Sequence, residues 1–156
     1  MDARSLAKFV APLRARISNM VARAVIQLVN DDAKIQVLQI GILADETRDD
    51  VERLQNYGFT SVPLPGAEAV AIFVGGSRDH GFVVATDDRR HRLAGLKPGE
   101  VALYNHAGAV VLLREDGSIE VRGTSVVLND GTLPVARAGD TAGPYPIVGG
   151  NSTVKA

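Results

Sequence analysis

Residues 100–140 read EVALYNHAGAVVLLREDGSIEVRGTSVVLNDGTLPVARAGD, and residues 141–156 read TAGPYPIVGGNSTVKA. This stretch has no helical spacing. Short apolar runs are separated by Asn105-His106-Ala107-Gly108, Glu115-Asp116-Gly117-Ser118 and Asn129-Asp130-Gly131-Thr132. Asp-Gly between alternating runs is a strong turn signal, because the favoured hairpin turn needs positive φ at its central positions. The spacing predicts short strands at about 100–104, 109–114, 118–122, 124–128 and 132–136. Ile119 and Val121 alternate with Ser118, Glu120 and Arg122, so one face is apolar and the other wet.

Such a row of one-sided strands leaves apolar surface and unpaired edges, which soluble proteins normally hide. The cover is either the N-terminal part of the same chain, as a second sheet, or identical copies wrapped about a symmetry axis. The strand pattern by itself does not choose between them.

A length of 156 residues fits one domain, or one small domain with an appendage, and allows a real core. The net charge of −1 gives no global electrostatic footprint for nucleic acid or an anionic membrane. With no cysteine, disulfides and thiolate metal sites are excluded. The most apolar stretch, Met20 to Val29, is broken by Arg23 and Gln27 and is too short to span a bilayer. The N-terminal residues do not read as a signal peptide. Sixteen Gly, seven Pro and 4% aromatic residues suit a turn-rich β protein better than a base-stacking surface.

From the N-terminus, Leu6, Phe9, Val10, Leu13, Ile17 and Met20 recur at helical spacing, which predicts a helix over 3–19. Pro12 either kinks it or opens a second turn. Arg4, Lys8, Arg14 and Arg16 make the other face basic: a solvated face, or a docking face for an acidic partner. From Val21 the period becomes two. Ala22–Val29 and Lys34–Leu43 form a long hairpin about Asn30-Asp31-Asp32, with Gly41 at a bulge. Residues 45–56, DETRDDVERLQN, read as a charged loop or a single helical turn. Two Pro and two Gly within 57–68 force an extended, turning path. Ala69–Val74 and Phe82–Thr86 form a second hairpin around Gly75–Gly81. Adding Val101–Tyr104 gives five strands, the count of a small barrel of the OB type.

Catalytic chemistry is not visible. His80, His91 and His106 lie far apart in sequence, without His-x-His or His-x-x-x-His spacing. No phosphate-binding glycine motif occurs. Ser77, Asp79 and His80 share a hairpin tip, a poor place to hold a triad, and read as a polar turn. Asp49/Asp50 and Asp87/Asp88 are adjacent loop carboxylates, and adjacency does not make an acid–base pair. Asn151-Ser-Thr153 matches a glycosylation sequon by coincidence. No catalytic, cofactor or metal residue is expected. Arg89-Arg90-His91-Arg92 is the best case for nucleic acid, so an OB-fold nucleic-acid-binding protein is the alternative reading; Asp87-Asp88 and the scarcity of aromatics speak against it.

The order of motifs resembles the Mu-like phage tail spike family, of the baseplate assembly protein V type. The matching residues are Arg23-Ala-Val-Ile, Tyr57-Gly-Phe-Thr-Ser61, Pro65-Gly-Ala-Glu68, Gly75-Gly with His80-Gly81, Asp88-Arg-Arg90 with Arg92, and Gly99-Glu-Val-Ala-Leu-Tyr104, spread between about Leu13 and Gly123. The resemblance implies a mainly β chain with a short N-terminal helix (1–19), an OB-type barrel (20–104) and a C-terminal intertwined triple-stranded β-helix with its tip (105–156). It implies a homotrimer, attached to a baseplate hub protein above the barrel, in a virion tail or tailocin particle assembled in the host cytoplasm. The needle punctures the host outer membrane mechanically, without enzymatic activity and without binding nucleic acid.

Some related spikes end in a His-x-His metal apex, and this chain has no His after His106. The end, from Ala136 to Asp140 and Ile147 to Val154, is similar to the opening of PAAR-type tip proteins but lacks their metal-binding residues; a separate tip protein is a possible further partner. Thr86 to Glu100 leaves no room for the lysozyme domain of some other spikes. On this reading Ile119, Val121, Val126 and Leu128 face the trimer seam.

Overall fold

The structure, a computed structural model, describes residues 3–43, 46–126, 141–142 and 145–146. The chain divides into two compact units, Met1–Arg92 and Leu93–Ala156.

The first unit opens with helix α1 (Ala3–Ser18), which carries Pro12 inside it. Five strands follow: β1 (Val21–Asn30), β2 (Val37–Leu43), β3 (Glu46–Arg53), β4 (Glu68–Phe73) and β5 (Gly81–Asp87). They close a barrel in the order β1-β2-β3-β5-β4, with β4 returning to β1. All neighbours are antiparallel except β3 and β5, whose short parallel pairing, Glu52 with Phe82 and Arg53 with Val83, makes the closure. A barrel leaves no open edge, which solves for this unit the exposed-strand problem.

Alternation builds the interior. On β1, Ala24 and Ile26 point inward while Arg23 and Val25 point out. Ile26, Leu38, Ile40, Val51, Val83 and Phe73 fill the core, and Ala67, Ala69 and Ala71 let the walls approach. Phe73 is fully buried, worth about 1.5–3 kcal/mol relative to exposure. It fits because residue 81 is glycine: a Cβ there would stand 2.5 Å from the Phe73 ring. A bulge between Ile26 and Leu28 adds one residue to β1. The inward series therefore resumes at Val29, and Leu28 is turned outward, 60% exposed.

Two sequence expectations are corrected here. Residues 46–53 are a barrel strand, not a charged loop or helical turn. Only Val51 and Arg53 of β3 are buried, so its inward face carries one aliphatic residue and one cation, and the period-two apolar signal is missing. Pairing with β2 makes it a strand. Conversely, Val101–Tyr104 is a strand but not the fifth strand of the barrel. It belongs to the second unit, because its partner is the strand that follows it.

In the second unit β6 (Val101–Tyr104), β7 (Val110–Leu113) and β8 (Ile119–Arg122) form an antiparallel meander. Both of its predicted turns are present. The Asn105 side chain accepts from the amides of Ala107 and Ala109, each at 3.0 Å. Asp116 accepts from the Ser118 amide at 2.9 Å, with Gly117 at φ +81°. Residues 124–126 are not a strand, and the predicted strand at 132–136, the turn at Asn129-Asp130-Gly131 and the seam residue Leu128 lie outside the described residues. Two short strands, β9 (Thr141–Ala142) and β10 (Tyr145–Pro146), pair antiparallel.

Candidate assembly surfaces

The β6–β8 meander sorts its side chains by register. Val101, Leu113 and Ile119 stand opposite one another, as do Leu103, Val111 and Val121. Directly opposed residues share a face, so these six aliphatic side chains form one continuous surface. It is uncovered: Val101, Leu103, Leu113, Ile119 and Val121 are 57, 53, 44, 68 and 52% exposed. The opposite face is the reverse in chemistry and in burial. Val110 and Leu112 are buried there, at 7 and 2%. The charged side chains of that face are joined in ion pairs: Arg114 with Glu120 at 2.5 Å, Arg122 with Glu120 at 2.8 Å, and Arg114 with Glu100 at 3.5 Å. Accepting from the Lys97 amide, and then from Arg114, holds the Glu100 carboxyl below its ordinary pKa. A sheet with its ionic side satisfied and its aliphatic side bare is built to be covered.

Of the sequence-predicted seam residues, Ile119 and Val121 lie on this face. Val126 is 51% exposed but follows the last strand of the meander. Val101, Leu103, Val111 and Leu113 were not singled out from sequence. They join Ile119 and Val121 through the register of β8 on β7 and of β7 on β6.

The barrel presents polar ties and two further surfaces. Arg53 is buried at 8%. Its guanidinium donates to Gln36 Oε1 at 2.8 Å, to the Ser61 carbonyl, to Ser61 Oγ at 2.9 Å and to Thr86 Oγ1 at 2.9 Å. Burial pushes its pKa down, opposed by the nearby Asp31 carboxylate. Arg78 joins α1 to the barrel: it donates to the Asn19 carbonyl at 3.2 Å, pairs with Glu46 at 3.3 Å, and lies 4.5 Å over the Phe73 ring. The loop Gly75–Gly81, which holds Ser77, Asp79 and His80, thus anchors the helix end through Arg78. The 3-10 turn Val74–Gly76 begins it.

The basic run after β5 is largely engaged. Arg89 pairs with Glu68 at 3.0 Å. Arg90 holds Asp88 through two side-chain bonds, at 2.9 and 2.7 Å, and its amide adds a third at 3.0 Å. Those bonds hold the Asp88 carboxyl down, at about 2. Among the described residues no group of three or more His, Asp or Glu converges on a metal site.

Residues 23–90 match the family model for bacteriophage Mu Gp45, N-terminal region, from within β1 to the turn after β5. The baseplate puncturing device gp45 of Escherichia phage Mu is 50% identical over 113 residues, covering 72% of this chain and 57% of the phage protein. A Mu-like prophage FluMu protein gp45 of Haemophilus influenzae is 44% identical over 110 residues, covering 70% of this chain and 60% of the relative. The chain thus spans about three fifths of the length of these curated relatives. The matched stretch carries the motifs that form the barrel strands and their turns, and through it the chain is similar to the Mu-like gp45 family of phage baseplate proteins.

Proposed function

We propose that the protein is a structural subunit of a contractile-tail baseplate, in a phage or a tailocin, and that three copies build the central spike that punctures the cell envelope. The observation that carries this is the six-residue aliphatic face of β6–β8, which a single chain leaves to water. Threefold winding would turn that face inward, with Ile119 and Val121 beside Val101, Leu103, Val111 and Leu113. Each aliphatic side chain fully buried contributes about 1.5–3 kcal/mol, and three chains multiply the seam. Dissociation is then slow, and kinetic stability is what a device loaded by sheath contraction needs. The phage Mu relative is named a baseplate puncturing device, which supports the same reading. The barrel attaches to a hub protein, further baseplate proteins surround it, a tip protein caps the far end, and the host outer membrane is the mechanical target. The work is force transmission and not bond chemistry.

The nucleic-acid alternative gains no support. Arg89 and Arg90 are paired with Glu68 and Asp88, and Phe73 is sealed in the core. Native mass measurement with and without mild SDS tests the proposal. A trimer that survives the detergent and ignores oligonucleotides is expected. A monomer that binds single strands in a salt-dependent way overturns it.

A further inference from the structure

Helix α1 is anchored and yet uncovered. Arg78 and the 3-10 turn hold its C-terminal end, while every residue from Leu6 to Ser18 is exposed. Its apolar stripe, Leu6, Phe9, Val10, Leu13 and Ile17, lies bare, with Phe9 79% exposed. At about 100° per residue, Arg14 and Arg16 fall on the two flanks of that stripe, with Lys8 behind it. The helix contains no Asp or Glu. It therefore presents an apolar ridge between two cations.

The same barrel carries a surface of matching chemistry. A groove of about 370 Å³ runs over Leu28, Val29, Val37 and Leu38 and is edged by Asp49 and Asp50. Two bulges shape it. The one in β1 turns Leu28 outward. The one in β3 sets Asp49 and Asp50 opposite Gln39, with Asp50 at φ +54°. Both carboxylates are exposed. The groove lies toward the far end of β1 from the helix: Val21 to Leu28 spans about 23 Å of extended chain.

We infer that α1 of one subunit seats in the β1–β2–β3 groove of a neighbouring copy of this chain, Phe9 entering against Leu28 while Arg14 and Arg16 meet Asp49 and Asp50. This inference rests on the trimeric reading above and adds to it a second contact, at the level of the barrels. Helix ridge and groove are different surfaces of one chain, so the contact is heterologous. Repeated about a threefold axis it closes a ring, with every helix and every groove used once. An amphipathic helix laid in an apolar groove with a charged rim is a recurrent recognition mode.

The chain has no cysteine, so engineered thiols report the contact without background. Phe9→Cys and Leu28→Cys are made in separate full-length chains, which are co-expressed and mildly oxidised. Both positions are exposed, so neither change disturbs the core. The expected result is a disulfide-linked dimer on a non-reducing gel. Phe9→Cys with Leu43→Cys, a residue exposed elsewhere on the barrel, serves as the control and stays unlinked. Asp49→Lys with Asp50→Lys should lower the yield of linked dimer several-fold, and adding Arg14→Glu with Arg16→Glu should restore it. A trimer by native mass in which Phe9→Cys and Leu28→Cys do not link overturns the helix docking and leaves the spike reading standing. A wild-type chain that is monomeric by native mass overturns both.

Discussion

Arg53 Nη2 donates to Thr86 Oγ1 at 2.9 Å across the one parallel pairing of the barrel. β3 and β5 share only two register pairs, so the closure depends on what else ties them. Leu54 adds a backbone bond to the Val83 carbonyl at 3.0 Å. The Arg53 guanidinium adds a side-chain tie, and it also holds the Ser61 loop and Gln36. Arg53→Met would leave the buried Gln36 Oε1 without this donor and remove the bonds to Ser61 and Thr86, and should cost about 2–4 kcal/mol, read as a lower urea midpoint. Thr86→Val removes one acceptor and should cost about 1 kcal/mol. An Arg53→Met protein with the wild-type midpoint would show that the closure does not rest on this cation.

Gly76 decides how the helix leaves the barrel. Its φ is +74°, and a Cβ would lie 2.3 Å from the carbonyl oxygen of Arg16. Both the backbone conformation and the space require glycine here. Gly76→Ala should push α1 off its seat while leaving the core, which does not contain this residue, folded. Trypsin cleavage at Arg14 and Arg16 should accelerate markedly, with at most a small drop in melting temperature. Unchanged proteolysis would mean that Arg78 alone sets the helix anchor.

How much of this could be read beforehand varied with how cleanly each strand shows two faces. The hairpins at 21–43 and 68–87 alternate, and their existence was legible. β3 was not, because its inward positions hold Val51 and Arg53, and a cation that brings its own hydrogen-bond partners does not look like core. Val101–Tyr104 is legible as a strand, but strand count does not reveal partners, and its pairing with β7 puts it outside the barrel. On the candidate surface, Ile119 and Val121 stood out because polar residues separate them. Val110–Leu113 is aliphatic on both faces, so nothing in its own pattern tells the buried pair, Val110 and Leu112, from Val111 and Leu113 on the more open face. The alternation of β1 treats Leu28 as part of a regular strand; one bulge reverses its face.

Acid should weaken the first unit through Asp88. Its side-chain bond to Arg90 lowers its pKa from 3.8 to about 2, so the folded state favours the ionised carboxylate. The stabilisation is fully present above the unfolded value and is lost as pH falls toward the folded one. The melting temperature of the wild type should therefore decline between about pH 4 and pH 2 more steeply than that of Asp88→Asn. The gap between the two proteins should be constant above that window and close within it. Glu68 is displaced in the same direction, first by its bond from Arg23, and adds to the slope. A gap that stays constant down to pH 2 would mean that the Asp88–Arg90 contact is not maintained in solution.

The seam proposal is decided by a carboxylate at position 121. Val121 is 52% exposed in the single chain and stands opposite Val111, so an Asp there would remain hydrated in an isolated subunit and cost it little. In a threefold seam the same change would place three carboxylates in one dry layer, where each must lose its water or its charge. Val121→Asp should therefore keep the β signature of the wild type by circular dichroism and lose the trimer in native mass measurement. Val126→Asp, 51% exposed in the wild type, should act the same way if the seam continues past β8. Leu112→Asp is the contrasting case: Leu112 is 2% exposed, and the change should unfold the meander itself. Glu120→Gln, on the ionic face, should leave the mass of the assembly unchanged. An intact trimer from Val121→Asp would place the axis on some other surface and end the seam assignment.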